Sequence, residues 1–248
     1  PYKDEQFKPT EEQRAILDAI MEGKNVVVQA LAGTGKTATL LLAGKRKKKE
    51  AAQERGVYIA FNKSAQTEAE ERFRKAGLTN IEVITNDAIA TRWAPKDIVK
   101  KLDKNPELSY YKDIDKYLGI TEFEGPGAQG YGLYEAHKFF MEAMRKYLIS
   151  ADPEIGPQHF DIPEQDVKPW MLDIVNKMWE DYKDPNGKLR MDNTIITKMW
   201  ALSNPDLGEI GSGLKQAVDF IFFDEAQDIN PVSGKVIADQ TIQKVYVG

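Results

Sequence analysis

The apolar residues of this 248-residue chain follow two rhythms. Short unbroken apolar runs occur at Asn25–Gln29 (NVVVQ), Val57–Phe61 (VYIAF), Ile81–Thr85 (IEVIT), Val218–Phe223 (VDFIFF) and Val245–Val247. They are too short for helices and rich in β-branched and aromatic side chains, so they predict strands, the first and the fourth of them buried. Between the first three, helical stretches are expected over Ala38–Lys49 and Ala65–Lys75. An earlier helix opens at Pro9-Thr10-Glu11-Glu12-Gln13. Thr10 is suited to cap it, and Gln13 stands at the third position of a capping box. Ile16, Leu17 and Ile20 give it an apolar face, and Gly23 ends it. Residues 1–8 read as an exposed leader.

Strands that alternate with helices argue for a parallel α/β sheet. Ligands of such sheets sit at the carboxyl ends of the strands. One rim is therefore expected to carry Gln29–Thr37, Phe61–Ser64 and Thr85–Asp87. From about Arg92 to Leu214 the strand signals fade. Leu133, Ala136, Phe140, Met144 and Tyr147 recur at helical spacing, as do Met171, Ile174, Val175, Met178 and Tyr182. A glycine-rich loop, Gly125–Gly132, punctuates this region. Two domains are expected: residues 1–91 with 215–248 forming the sheet, and residues 92–214 a helical insertion. Trp170, Trp179 and Trp200 suit either a base-stacking role or a helical core, and core is the commoner use of such residues.

Composition narrows the chemistry. Hydrophobic residues at 42% and charged residues at 29% are those of an ordinary globular protein. No run approaches the roughly 18 apolar residues of a membrane span, and no secretory signal leads the chain, so an intracellular place, cytoplasmic or nuclear, is expected. There is no cysteine, which excludes disulfides, iron–sulfur clusters and thiolate zinc sites. The two histidines, His137 and His159, lack ligand spacing. A net charge of −5 announces no global attraction to nucleic acid. The basic run Lys45-Arg46-Lys47-Lys48-Lys49 reads first as a solvated helix end, where cations meet the helix dipole.

Two stretches carry chemistry. Ala30–Thr37, ALAGTGKT, follows the first strand and opens a helix. It fits the phosphate-loop pattern at every position but the first, where Ala30 replaces glycine. Gly33 and Gly35 let the backbone curl so that its N–H groups converge, and the helix N-terminus adds positive potential. Lys36 supplies a full charge for outer phosphates, and Thr37 a hydroxyl for magnesium. The second stretch is Asp224-Glu225-Ala226-Gln227-Asp228, at the end of an apolar strand. There Asp224 is placed to engage the ion and Glu225 to activate water as general base.

Together these residues resemble the first half of a superfamily 1 DNA helicase of the UvrD/Rep/PcrA type. PTEEQ is similar to its glutamine motif, ALAGTGKT to motif I, Ala60–Phe73 (AFNKSAQTEAEERF) to motif Ia, and DEAQD to motif II. FNKSA at Phe61–Ala65 and KMWALSNPDL at Lys198–Leu207 look most like the F-box branch. The resemblance implies a RecA-like P-loop NTPase sheet with an inserted, mainly helical subdomain. It implies ATP and Mg2+ as cofactors, single-stranded DNA as partner, and movement from 3′ to 5′. Gln13 would then read the adenine edge. Ala32, Gly33, Thr34, Gly35, Lys36 and Thr37 would hold the nucleotide, with Thr37 and Asp224 on the metal. Lys36, Asp224 and Glu225 would run hydrolysis, Gln227 would sense the γ-phosphate, and Phe61, Asn62 and Thr85 would touch DNA.

The chain departs from the family pattern in places. Thr85-Asn86-Asp87-Ala88 stands where the family carries a Thr-Phe-His-Ser type sequence, so an aromatic and an imidazole are replaced and an acid is introduced. Ala38 follows Thr37 where some relatives place an adenine-packing arginine. Gly248 resembles the first residue of the family's next motif. A second RecA-like domain, from further sequence or a partner chain, is expected to supply the arginine fingers, worth roughly 10³–10⁵ in rate. Two other readings stay open at this point. One is a nucleotide- or DNA-binding module without turnover. The other is a nucleotide kinase, against which DEAQD and FNKSA speak.

Overall fold

The computed structural model describes residues 9–29 and 36–248. The expected leader, residues 1–8, and most of the phosphate loop, residues 30–35, lie outside the described residues. In chain order the elements are α1 (Glu11–Met21), β1 (Val26–Val28), α2 (Lys36–Glu50), β2 (Gly56–Ala60), α3 (Lys63–Lys75), β3 (Ile81–Thr85) and α4 (Asn86–Trp93). Then follow α5 (Lys96–Leu102), α6 (Tyr111–Leu118), β4 (Phe123–Glu124), β5 (Gly130–Tyr131), α7 (Leu133–Ile149), α8 (Pro169–Lys183) and α9 (Asn193–Leu202). The chain closes with β6 (Phe220–Asp224), α10 (Pro231–Ala238) and β7 (Gln243–Val247). Among the described residues no helix is long and apolar enough to cross a membrane.

The chain divides into two compact units. The first runs to Ile89 and resumes over Asp206–Ile229 and Ile237–Gly248; the second comprises Ala90–Pro205 and Asn230–Val236. Among its described residues the first unit carries a five-stranded sheet in the order β1-β7-β6-β2-β3. Every pairing is parallel. Parallel strands require crossovers, and helices α2 and α3 supply two of them. β6 lies between β2 and β7, and all five of its residues are buried. That is why Phe220-Ile221-Phe222-Phe223 reads as an apolar run rather than an alternation.

One face of the sheet presents Tyr58, Ala60, Phe220, Phe222, Val245 and Val247 to Leu17 and Ile20 of α1, Leu40 and Ala43 of α2, and Ala69 and Phe73 of α3. Helix α1 starts with the expected capping box: Thr10 Oγ1 accepts from Gln13 N at 3.1 Å, and Gln13 Oε1 accepts from Thr10 N at 3.0 Å. The expectation for the first strand is corrected. β1 is three residues long, pairs only with β7 among the described strands, and leaves Val27 71% exposed. A run of valines reads alike in an edge strand and a central one, and pairing alone separates the two.

The basic run is corrected too. Lys47 is buried, bonds Glu54 at 2.5 Å and lies 4.5 Å over the Phe220 ring. Arg46 reaches Asp18 of α1 and Glu50, and Lys48 donates to the carbonyl of Gly77. The run fastens α2 to its neighbours, because long aliphatic stems cover apolar surface while their heads find partners.

In the second unit α7 packs against α8 and α9. The anticipated periodic positions Ala136, Phe140, Met144 and Tyr147 are buried, as are Met171, Ile174, Val175, Met178 and Tyr182. Trp179 and Trp200 are core, whereas Trp170 is 40% exposed and packs on Phe123 and Phe140. The glycine-rich stretch, expected as a plain loop, connects a small hairpin of β4 and β5, with the rings of Phe123 and Tyr131 stacked at 4.6 Å.

Two buried charged groups of this unit are bonded internally. The Asp181 carboxylate accepts from the backbone N–H groups of Lys188 and Leu189 and from Tyr117. Lys198, 1% exposed, donates to the carbonyls of Ser150 and Asp152 and lies 4.1 Å over the Tyr147 ring. Burial pushes the Lys198 ammonium down to about 8, only partly opposed by Asp152.

Two stability outcomes are expected. A Cβ on Gly56 would overlap the fully buried Phe220 ring. Gly56→Ala is therefore expected to lower unfolding free energy by about 1–3 kcal/mol, read from urea denaturation. For Lys198 the unfolded chain binds the proton more tightly than the folded one. Stability therefore rises with pH from about 8 toward the ordinary lysine value of 10.5. Burial raises Tyr147 to about 12, and tyrosines raised in this way act oppositely above about pH 10. A urea-midpoint series from pH 7 to 10 is expected to rise in the unmodified chain and to lose that rise in Lys198→Met.

Candidate functional site

The site is built where the strands of the first unit end. Pairing sets β6 beside β2 with Tyr58 opposite Phe222 and Ile59 opposite Phe223, and beside β7 with Asp224 opposite Val247. Side chains alternate along a strand, so Phe220, Phe222 and Asp224 share one face. That is the face covered by α2. Asp224 therefore stands at the sheet's carboxyl edge on the side from which α2 begins.

There it meets Tyr58. The phenol, 1% exposed and held edge-on against Phe73, donates to Asp224 Oδ2. Burial first, and the carboxylate beside it second, push the phenol well above its usual range, so it stays protonated and is a donor. The Thr37 side chain, on the second residue of α2, lies near the same phenol and opposes that rise as a smaller influence. The other Asp224 oxygen accepts from Glu225 N at 3.1 Å.

Glu225 holds φ 52° and ψ 45°, the left-handed region, which costs a non-glycine residue roughly 1–2 kcal/mol. This turn carries the chain sharply off the strand into a 3₁₀ turn at Ala226–Asp228. Gln227 Nε2 donates to Glu225 Oε2 at 2.7 Å and to Asp228 Oδ2 at 3.0 Å. Gly248, whose N–H bonds the Val28 carbonyl, lies so close to Gln227 that a Cβ there would overlap its amide. Asp224, Glu225 and Gln227 are therefore one continuous corner at the ends of β6 and β7.

The remaining candidates fall into distinct groups. Gln13, besides capping α1, donates from Nε2 to Thr39 Oγ1 of α2 at 3.3 Å, so its amide sits against the helix that begins at Lys36. Phe61 follows β2 and is 53% exposed. Asn62 caps α3 by accepting from Ala65 N at 2.9 Å, and Thr85 accepts from Ala88 N at 3.3 Å at the start of α4. Both polar side chains thus have a local structural task at the same rim. Ala32, Gly33, Thr34 and Gly35 lie outside the described residues, as does the side chain of Lys36. Tyr58 was not singled out from the sequence, because within VYIAF it reads as strand filler. Its signal is a hydroxyl in an otherwise apolar buried strand, since buried phenols find partners.

A hydroxyl and a carboxylate are hard oxygen donors and suit Mg2+. Among the described residues no group of three or more acidic or histidine side chains is placed to hold a metal. An ion at Thr37 and Asp224 would therefore take its other oxygens from phosphate and water, the usual habit of magnesium beside a nucleotide.

Residues 9–241 match the model of the UvrD/REP helicase N-terminal domain. F-box DNA helicase 1 of Gallus gallus is 26% identical over 261 residues, covering 98% of this chain and 23% of that protein. F-box DNA helicase protein 1 of Schizosaccharomyces pombe is 24% identical over 260 residues, covering 100% of this chain and 28% of that protein. The chain thus spans about a quarter of the length of these curated relatives. The match across residues 9–241, on a parallel sheet with helices around it, identifies this chain as a member of the UvrD/REP helicase N-terminal domain family.

Proposed function

We propose that this chain is the ATP-binding portion of a superfamily 1 DNA helicase that couples ATP hydrolysis to movement on single-stranded DNA, in the 3′-to-5′ direction the resemblance implies. The observation that carries the reading is Asp224, held by Tyr58 at the carboxyl edge of a parallel sheet on the face that α2 covers. Residues 1–91 and 215–248 form the RecA-like part of this reading, and residues 92–214 its helical insertion.

In this mechanism the N-terminus of α2 faces the phosphates, and Lys36 adds charge to them. Thr37 and Asp224 hold Mg2+, which when bound neutralises phosphate charge. Glu225, turned off the strand by its left-handed backbone, accepts the proton of the attacking water. Gln227, bonded to Glu225 and pressed against Gly248, registers the γ-phosphate. The Gln13 amide, fixed against α2, meets the adenine edge. Phe61 offers an exposed ring to a base. Asn62 and Thr85 flank it along the rim, with Asn62 free to use its amide N–H groups while its oxygen caps α3.

A second reading for the 248 residues by themselves is a nucleotide- or DNA-binding module without turnover of its own. A second RecA-like domain is the proposed source of arginine fingers in the working motor.

Calorimetric titration with Mg2+–ATP is expected to show binding that Lys36→Ala weakens about 10-fold or more. Equal affinity in that variant removes the nucleotide site. Glu225→Gln is expected to keep nucleotide binding and lose about 10²–10⁴ of any DNA-stimulated turnover. Strong Glu225-dependent turnover by the 248 residues alone rejects the module reading. Phe61→Ala is expected to weaken oligo-dT binding by roughly 1–3 kcal/mol in fluorescence anisotropy, and unchanged binding removes the stacking role.

A further inference from the structure

Tyr58 is the one polar side chain of β2, fully buried, and neither strand formation nor packing requires its hydroxyl. Phenylalanine would fill the same volume against Phe73 with the same edge-on contact. The hydroxyl is instead committed to Asp224, whose Oδ2 takes its single proton. A carboxylate that accepts from a phenol on one oxygen and from Glu225 N on the other cannot rotate freely. One group thus sets the orientation of the carboxylate, and it comes from a strand that supplies no ligand of its own.

We propose that Tyr58 is a positioning residue for the cation: it holds Asp224 in the orientation of a Mg2+ ligand before nucleotide arrives. The inference rests on the nucleotide-site reading given above. It adds that metal dependence and nucleotide affinity are separable at one hydroxyl. Preorganisation of this kind removes the cost of ordering that side chain at the moment of binding. Removing it weakens the metal without touching the contacts that phosphates and base make elsewhere.

The test is ADP binding to the 248-residue chain by calorimetry, in EDTA and across a Mg2+ series, for the unmodified chain, Tyr58→Phe, Asp224→Asn and the double variant. Tyr58→Phe is expected to raise the Mg2+ concentration giving half-maximal enhancement of ADP binding by about 10-fold. Its affinity in EDTA is expected to stay within about twofold of the unmodified chain, with the urea midpoint falling too little to explain the change. Because Tyr58 acts through Asp224, the double variant is expected to be no worse than Asp224→Asn.

An unchanged Mg2+ midpoint in Tyr58→Phe overturns the inference and leaves the nucleotide site standing. So does an equal loss with and without metal, which is the mark of a packing role, and so does full additivity in the double variant. If the unmodified chain binds no ADP under any condition, the nucleotide-site reading falls and the inference falls with it. Should Tyr58→Phe not fold, the Mg2+ series on Asp224→Glu decides. That variant keeps a carboxylate but carries it off the phenol, so its midpoint is expected to rise, and an unmodified midpoint overturns the alignment by Tyr58.

Discussion

Strand β6 is paired on both sides, and this double pairing is the constraint on which the site depends. With β2 on one side and β7 on the other, its register is fixed at every residue from Phe220 to Phe223, and Asp224 is set against Val247. A slip of one residue would turn every side chain of the strand to the other face. Phe220 and Phe222 would leave the cluster they form with α2, and Asp224 would point away from Thr37. Burial of a solid apolar strand therefore does more than stabilise the sheet. It aims one carboxylate, and the apolar residues before it make the wrong aim costly.

The other half of the site depends on how firmly α2 is held. This helix has 15 residues, and its useful end is the first turn. Its last turns are fastened by Arg46 to Asp18, by Lys47 to Glu54 over the Phe220 ring, and by Lys48 to Gly77. Exposed ion pairs contribute little individually, about 0–1 kcal/mol. Lys47 differs because its stem is buried and its head is paired, so leaving the head without Glu54 would strand a charge away from water. The anchoring uses the same phenylalanine that fills β6. The position of Thr37 and the position of Asp224 are thereby tied to one core.

At the corner itself the backbone is strained at Glu225, and the strain has a use. A strand that ran straight on would send Glu225 to the face opposite Asp224. The left-handed turn instead swings Glu225 toward Gln227, which bonds it, and toward the end of β7. Two carboxylates and an amide are gathered within four residues, at a cost the buried strand behind them covers. The second unit shows a different economy. Its core is aromatic, and two of its buried charges, Asp181 and Lys198, are bonded in large part to backbone groups.

Much of this was legible in the amino-acid order. Apolar runs and helical periods are local properties, so the kinds of element and their succession could be read from them, as could the capping box at Thr10 and Gln13 and the acids at the end of the VDFIFF strand. The same holds for the family resemblance, which is a matter of short motifs in order. Strand order was not local. Whether three valines sit in the middle of a sheet or at its margin is decided by residues more than 200 positions away, and β1 paired with β7. The hydroxyl of Tyr58 had no visible task until folding brought it to an aspartate 166 residues later. Nor did the basic run at the end of α2 disclose that Lys47 is interior, since a lysine looks alike in sequence whether its partner is water or a carboxylate. Sequence alone determined which segments would be strands, helices and chemistry-bearing loops. Tertiary pairing decided which of those side chains face one another, because hydrogen bonds and burial between distant segments exist only once the chain has closed on itself.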